Sequence, residues 1–162
     1  NIGNCIMSVG AGIGSISLMV TGVAYGEEDR ETLKDIVRAI ARQSIIYNVV
    51  LIVVVEIAAP FIIDLFFNGS ADVRDIAVWG LRLYALFLIF YSLNCGYRVY
   101  IQGLGKLKKA NFQNVLENVF VLLSAFLLSY LAGIRYVWLA FLLGHMLTFL
   151  YFLDFNEFSI KS

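Results

Sequence analysis

The hydrophobic residues of the chain fall into five runs of about 20 residues, separated by short polar segments. A helix rises about 1.5 Å per residue and the hydrocarbon core of a bilayer is about 30 Å thick, so each run is long enough to span a membrane. The pattern predicts an all-α polytopic membrane helix bundle over residues 1–153 and a tail over 154–162. The five predicted transmembrane helices are Ile6–Tyr25, Gln43–Phe67, Ile76–Ile101, Phe112–Leu131 and Val137–Leu153.

The segment that joins the first two runs is amphipathic. Leu33, Ile36, Val37 and Ile40 recur at helical spacing, and charged residues surround them. This pattern is typical of a helix that lies along the membrane interface. We therefore expect a cytoplasmic amphipathic helix over about 27–42 that leads into the second span.

Lysine and arginine are distributed unequally between the two ends of the predicted spans. Basic residues concentrate on the cytoplasmic side of membrane proteins. Only Arg74 and Arg135 lie on one side, which predicts that the other side, including the C-terminal tail, is cytoplasmic. The eight basic residues on that side are Arg30, Lys34, Arg38, Arg42, Lys106, Lys108, Lys109 and Lys161.

The composition agrees with a membrane protein and argues against an enzyme. Hydrophobic residues make up 60% and charged residues 15% of the chain, against about 45–50% and 25% in soluble domains. The long apolar runs lead us to expect the lipid bilayer as a partner. The formal net charge is zero, so we expect no nucleic acid as a partner. Cys5 and Cys95 lack a C-x-x-C spacing and are read as free thiols, and neither a metal cluster nor a P-loop is present.

Glu56 is the first of the charges that fall inside a predicted span, and it lies near the middle of the second. Pro60, one turn later, removes the helical hydrogen bond to the Glu56 carbonyl. A carboxylate and a freed carbonyl on one turn could bind a proton or a cation, and such residues are candidates for function. The alternative is a carboxylate that pairs with a neighbouring helix.

Four further charges form two predicted ion pairs. Asp64 and Arg82 lie at similar depths near the outer side, which predicts a structural pair. Arg98 and Glu117 lie towards the cytoplasmic ends of the third and fourth spans. They are interpreted either as a lock between the two helices or as a gate that exchanges partners during transport.

Uncharged polar residues mark a stripe on the fourth span. Asn111, Asn114 and Asn118 recur at i, i+3 and i+7 with Glu117 beside them, and Asn94 on the third span extends this surface. A polar stripe faces a cavity or a partner helix rather than lipid. The single histidine, His145, is interpreted as a packing residue, with a proton relay as the alternative.

The stretch "SVGAGIGSIS" resembles a glycine-rich nucleotide loop but lacks its context. No strand precedes it, and Ser15 stands where the last glycine of G-x-G-x-x-G is required. Gly10, Gly14 and Ser17 instead place small residues on one helix face. Such faces let helix backbones approach closely in lipid, so we predict a packing seam.

Four motifs in a fixed order carry a resemblance to a known family. They are "GVAYGEED", "LFFNGSADVRDIAVWGLRLY", "QGLGKLK" and "AGIRYVW". In this order the chain resembles the multidrug and toxic compound extrusion (MATE) family from about Ser8 to Leu150. The resemblance implies two six-helix halves, of which this chain supplies helices two to six of one, the C-terminal half, so that the other half is a partner.

The resemblance also implies a function. Such proteins export cationic or amphipathic small molecules across the cell (plasma) membrane by alternating access, in exchange for Na⁺ or H⁺ and without another cofactor. Gln102 stands where arginine is usual, and Tyr91 and Asn94 occupy the region where some members carry an acid. Tyr91 joins Asn94, Asn114 and Asn118 as a cavity-lining candidate, and Glu56 becomes the coupling candidate by its position. The alternatives are a lipid-linked saccharide flippase of the same wider fold group and a non-transporting membrane subunit.

Overall fold

The computed structural model describes residues 2–66, 70–133 and 136–153, with the side chains of the first helix from residue 14 onward. These residues form five helices and no strand, which confirms the all-α prediction. The predicted tail and Phe67, the last residue of the second predicted span, lie outside the described residues. The helices are α1 (Ile2–Gly26), α2 (Arg30–Phe66), α3 (Ala71–Gly103), α4 (Leu107–Leu131) and α5 (Leu139–Leu153).

Three of the helices are long and apolar enough to cross a membrane, namely α2, α3 and α4. Two shorter apolar segments, Gly14–Gly26 and Leu139–Leu153, complete the described bundle. The amphipathic segment is not a separate element, since it forms the first turns of the 37-residue helix α2. α3 begins at Ala71, so this helix extends five residues beyond the predicted start of its membrane span.

The buried faces combine apolar residues with small and polar ones, and many large apolar residues face outwards. Ile57, Phe61, Leu122 and Phe126 are all largely exposed. Soluble monomers rarely expose such continuous apolar surface, but helices in lipid pack through small residues and interhelical hydrogen bonds. The buried residues of α2 follow one face: Leu33, Ile40, Ser44, Asn48, Val55 and Ala59.

Tight turns end the helices and set their antiparallel order. Gly105 after α3 and Gly133 after α4 have φ angles of 74° and 87°, a conformation that glycine adopts without steric cost. Asp29 then caps α2, because its carboxylate accepts hydrogen bonds from the backbone N–H and the hydroxyl of Thr32 at 3.0 and 2.6 Å. These hydrogen bonds, the side-chain one foremost, lower the pKa of Asp29.

α3 is the central helix, and it packs against each of the other four. One apolar cluster joins α1, α2 and α3 through Ala24, Leu33, Ile40 and Tyr100. A second joins α3, α4 and α5 and contains Tyr97, Ile101, Ala110 and Phe152. This arrangement brings the polar side chains of α3 against those of α4 and α5.

Candidate functional site

A buried ion pair connects α3 to α4. Nη1 of Arg98 donates to Oε2 of Glu117 at 2.6 Å, and the two side chains are 15% and 5% exposed. The structure therefore brings together the two residues that the sequence placed towards the cytoplasmic ends of the third and fourth spans. Removing one member of a buried pair leaves an uncompensated charge and costs about 3–5 kcal/mol.

Glu117 also faces α5. Its second oxygen, Oε1, lies 3.5 Å from Nδ1 of His145, and the His145 side chain is 10% exposed. Neither Oε1 nor Nδ1 has a hydrogen-bond partner among the described residues. His145 thus takes part in a charged cluster, a role that the sequence interpretation as a packing residue missed, because the position of α5 against Glu117 is a tertiary contact.

Amide side chains tie the same three helices together. Nδ2 of Asn94 donates to the backbone carbonyl of His145 at 2.9 Å, and Nε2 of Gln113 donates to the Asn94 carbonyl at 3.1 Å. Both amides are buried. We name Asn94, Arg98, Gln113, Glu117 and His145 the polar cluster.

Aromatic rings close one side of the polar cluster. The Tyr91 ring stacks on His145 with centroids 5.5 Å apart and an interplanar angle of 29°. Phe87, which is fully buried, lies 5.0 Å from the imidazole centroid. Tyr91 is therefore a neighbour of the cluster, and both rings hold the imidazole in a fixed orientation.

A second pair of charges connects α2 to α3, and it differs from the prediction. Nε of Arg82 lies 3.3 Å from Oε2 of Glu56, and Nη2 donates to the Glu56 carbonyl at 3.2 Å. The carbonyl that Pro60 frees is therefore satisfied by Arg82. The two side chains are 43% and 40% exposed within the described chain.

The predicted pairing of Asp64 with Arg82 is wrong. Asp64 instead accepts two hydrogen bonds from Arg74, at 2.5 and 2.8 Å. Arg74 lies in the first turn of α3, which brings it to the level of Asp64 near the end of α2. Asp64 follows Glu56 by eight residues and Arg74 precedes Arg82 by eight, so both ion pairs share one antiparallel register. Equal spacing of opposite charges across a helical hairpin is a signal that the sequence contained.

The asparagine stripe and Glu117 lie on different sides of α4. Asn111, Asn114 and Asn118 are exposed within the described chain, whereas Glu117 and Gln113 are buried. Nδ2 of Asn118 donates to the carbonyl of Asn114, one turn earlier, at 2.7 Å. The stripe therefore does not extend the surface of Asn94, as predicted, because that surface is made by Gln113.

An apolar cleft of about 310 Å³ lies between α2, α3 and α5. Asn94 is one of its wall residues, and aromatic side chains form much of the remainder, among them Tyr97, Tyr100, Phe149 and Phe152. Arg38 at the wall is ion-paired with Asp35 at 3.1 Å. The cleft is a concave apolar surface that borders the polar cluster.

Close helix approaches occur at glycines other than those predicted. Gly14 is buried and would bring a Cβ to 3.4 Å from Val99, which is ordinary contact, and Gly10 lies outside the residues whose surroundings the structure describes. The tight contacts are at Gly96 against Ile40, at Gly103 against Thr21 and at Gly144 against Val121, where a Cβ would lie within 2.6 Å. The seam next to the polar cluster is therefore at Gly144.

A metal site of the kind that many enzymes use is not found among the described residues. No group of three or more His, Cys, Asp or Glu side chains there is placed to hold a metal ion. Cys95 is a free thiol, and Cys5 lies outside the residues whose side chains are described. What the arrangement offers is a set of ion pairs between helices that could exchange partners.

The fold and these charges define an integral membrane protein of the polytopic helical class. A family model for MatE proteins matches residues 1–131. The chain therefore belongs to the MatE family, whose members are membrane transporters and not enzymes. No curated protein and no solved structure matches the chain.

Proposed function

We propose that the chain is part of a secondary active efflux transporter that exports cationic or amphipathic compounds in exchange for Na⁺ or H⁺. The observation that carries the proposal is the MatE match over residues 1–131. The chain works in this proposal with a second half-transporter, and alternating access moves the substrate across the cell membrane. The concentration of basic residues on one side supports a cytoplasmic C-terminal tail.

Glu56 is the coupling residue in this proposal, and Arg82 is its internal counter-ion. The guanidinium of Arg82 contacts both the carboxylate and the freed carbonyl of Glu56. An incoming proton or cation must therefore displace Arg82, which releases a link between α2 and α3. Coupling by exchange of partners fits the partial exposure of this pair, since an ion can reach it without unpacking the bundle.

The apolar cleft supports an amphipathic substrate. Its volume of about 310 Å³ is at the lower end of the range for small-molecule sites, about 300–1,000 Å³. Aromatic walls also attract organic cations through their π faces. Arg82 and Arg98 are each neutralised by a carboxylate, which favours a cationic cargo over the anionic headgroup of a lipid-linked saccharide.

The test is efflux of ethidium, a fluorescent lipophilic cation, from proteoliposomes that contain the full-length protein. An imposed H⁺ or Na⁺ gradient should drive efflux in the unmodified protein. Glu56→Gln removes the negative charge with little change in shape, and we expect ion-driven efflux to fall to background while expression and folding persist. The matched control is Asp35→Asn on the same helix, which removes an exposed carboxylate that also pairs with an arginine.

Three results would overturn parts of the proposal. Gradient-driven efflux of normal rate in Glu56→Gln would remove Glu56 from the coupling mechanism. A full-length protein that moves no cation under either gradient, but moves a lipid-linked saccharide between leaflets, would replace export by flipping. A protein that moves neither would be a non-transporting subunit.

A further inference from the structure

Glu117 is a single carboxylate that faces basic side chains of two different helices. Its Oε2 accepts a hydrogen bond from Arg98 on α3 at 2.6 Å, and its Oε1 lies 3.5 Å from Nδ1 of His145 on α5. All three side chains are largely buried. The carboxylate therefore lies where α4 can be tied to either of its neighbours.

Oε1 of Glu117 and Nδ1 of His145 lie 3.5 Å apart without forming a hydrogen bond. An ionised carboxylate oxygen is only an acceptor, and Nδ1 of a neutral imidazole that carries its hydrogen on Nε2 is also only an acceptor. Both atoms are buried and neither is otherwise hydrogen-bonded among the described residues. Buried polar atoms without partners are rare in native proteins, and one proton between them would satisfy both.

We propose that Glu117 and His145 form a proton-binding site, in which a proton taken up on Nδ1 of His145 is held by Oε1 of Glu117. The ligand is a single H⁺. It converts the imidazole to an imidazolium with two N–H donors, and the new charge-assisted hydrogen bond satisfies both buried atoms. No bond breaks in the protein, and no co-reactant is required.

Burial disfavours the charged form of the His145 ring, and the groups around it act on that charge in opposite directions. Glu117 faces it from α4, while Tyr91 and Arg98 face it from α3, with Cys95 beside Arg98. The carboxylate attracts the imidazolium and the guanidinium opposes it. The rings of Tyr91 and Phe87, with centroids 5.5 and 5.0 Å from that of His145, add the attraction of π faces for a cation.

Proton binding would also change which helix holds α4. Without the proton, Arg98 is the only cationic partner of Glu117 in the polar cluster, and the link runs from α4 to α3. With the proton, the imidazolium competes for the same carboxylate and draws it towards α5. The site itself does not depend on transport, but its use as a second coupling element, separate from Glu56, rests on the proposed function.

The test follows the protonation of His145 directly. The full-length protein with ¹⁵N-labelled histidine is placed in proteoliposomes, and its imidazole signals are recorded by solid-state NMR between about pH 4.5 and 9, around the ordinary histidine range. His145→Gln assigns the signal of interest by its loss. We expect the His145 ring to take up one proton in this range, with a proton affinity about tenfold lower in Glu117→Gln because the contacting charge is gone. Thr148→Val, which removes a buried hydroxyl one turn away, is the control and should bind the proton as the unmodified protein does.

A ring that stays neutral throughout the range, or one that titrates identically in Glu117→Gln, would overturn the proposal. Glu117→Gln leaves Arg98 buried and unpaired and could therefore prevent folding. In that case the double variant Arg98→Gln/Glu117→Gln, which removes both charges, is used in the titration in place of Glu117→Gln. Equal proton affinity in the double variant and the unmodified protein would count equally against the site. These measurements need no transport. Failure of ion-driven efflux would therefore contradict the proposed function, whereas the titration alone decides whether Glu117 and His145 bind a proton.

Discussion

Gly144→Ala is the change that the structure predicts most sharply. A Cβ on residue 144 would lie 2.5 Å from Cγ2 of Val121 and 2.6 Å from its Cα and its backbone nitrogen. Ordinary van der Waals contact begins at 3.4 Å. The alanine therefore requires α4 and α5 to separate by roughly 0.8 Å, because backbone atoms cannot rotate away as the end of a side chain can.

The energetic cost follows from that separation. Overpacking a well-packed contact costs about 1–3 kcal/mol, and we expect the upper half of this range because the contact is with backbone. The separation also lengthens the distance from Glu117 to His145, since Glu117 is one turn from Val121 and His145 is the next residue after Gly144. Proton affinity at the polar cluster should fall together with stability.

The assay is thermal unfolding of the purified full-length protein in detergent, followed by tryptophan fluorescence. Gly22→Ala is the matched control, because nothing lies within 4 Å of its added Cβ and alanine favours a helix over glycine by about 1 kcal/mol. We expect Gly144→Ala to lower the melting temperature and Gly22→Ala to leave it unchanged or raise it. Unchanged stability in Gly144→Ala would refute the reasoning, and so would full rescue by Val121→Ala, which leaves the backbone contact in place.

Two further predictions concern charges on α2, α3 and α4. Arg98→Glu and Glu117→Arg should each cost about 3–5 kcal/mol of stability when introduced alone. In thermal unfolding, the double variant that carries both changes should recover most of that loss. A double variant that is stable but inactive in efflux would identify a gate rather than a lock. Asp29→Ala should speed hydrogen exchange of the first amides of α2, since the bonds to Thr32 are lost. Because those bonds lower the pKa of Asp29, the cap is present at neutral pH and is lost as the pH falls through that lowered value, so the difference from the unmodified protein should vanish in acid.

The sequence predicts that the chain forms membrane-spanning helices and shows which polar residues are worth testing. It does not predict which charged residues pair with one another. A run of apolar residues predicts a helix because every backbone group must be satisfied in lipid. The depth of Glu56 along α2 was therefore inferable, but which arginine of α3 lies at that depth depended on the register of α2 against α3. In the observed register, Arg82 meets Glu56 and Arg74 meets Asp64. The predicted pair of Asp64 with Arg82 lies eight residues out of this register.

The packing seam shows a different limit. Gly10, Gly14 and Ser17 have the spacing of a small-residue face, which describes one helix taken alone. Whether such a face is used depends on how near the neighbouring helix comes. At Gly144 the neighbour is the backbone of α4 itself. Ala140 and Thr148, one turn on either side, put small residues on the same face, so the sequence contains the same kind of signal there. The rotation of one helix against another is a property of the assembled bundle.

The ion pairs also constrain which ion can act where. Glu56, Asp64 and Glu117 each meet an arginine of a neighbouring helix. An ion must displace that arginine at Glu56 and at Asp64, whereas Oε1 of Glu117 is not bonded to Arg98. Glu56 is partly exposed, and its backbone carbonyl supplies a second oxygen beside the carboxylate. A metal cation needs several oxygen ligands. It would have to compete with Arg82, which contacts both of these groups. Glu117 is buried, and its free oxygen faces an imidazole nitrogen, which offers room for a proton only. A transporter that runs on Na⁺ alone should therefore be impaired by Glu56→Gln and should tolerate His145→Gln. A transporter that runs on H⁺ should be impaired by both Glu56→Gln and His145→Gln.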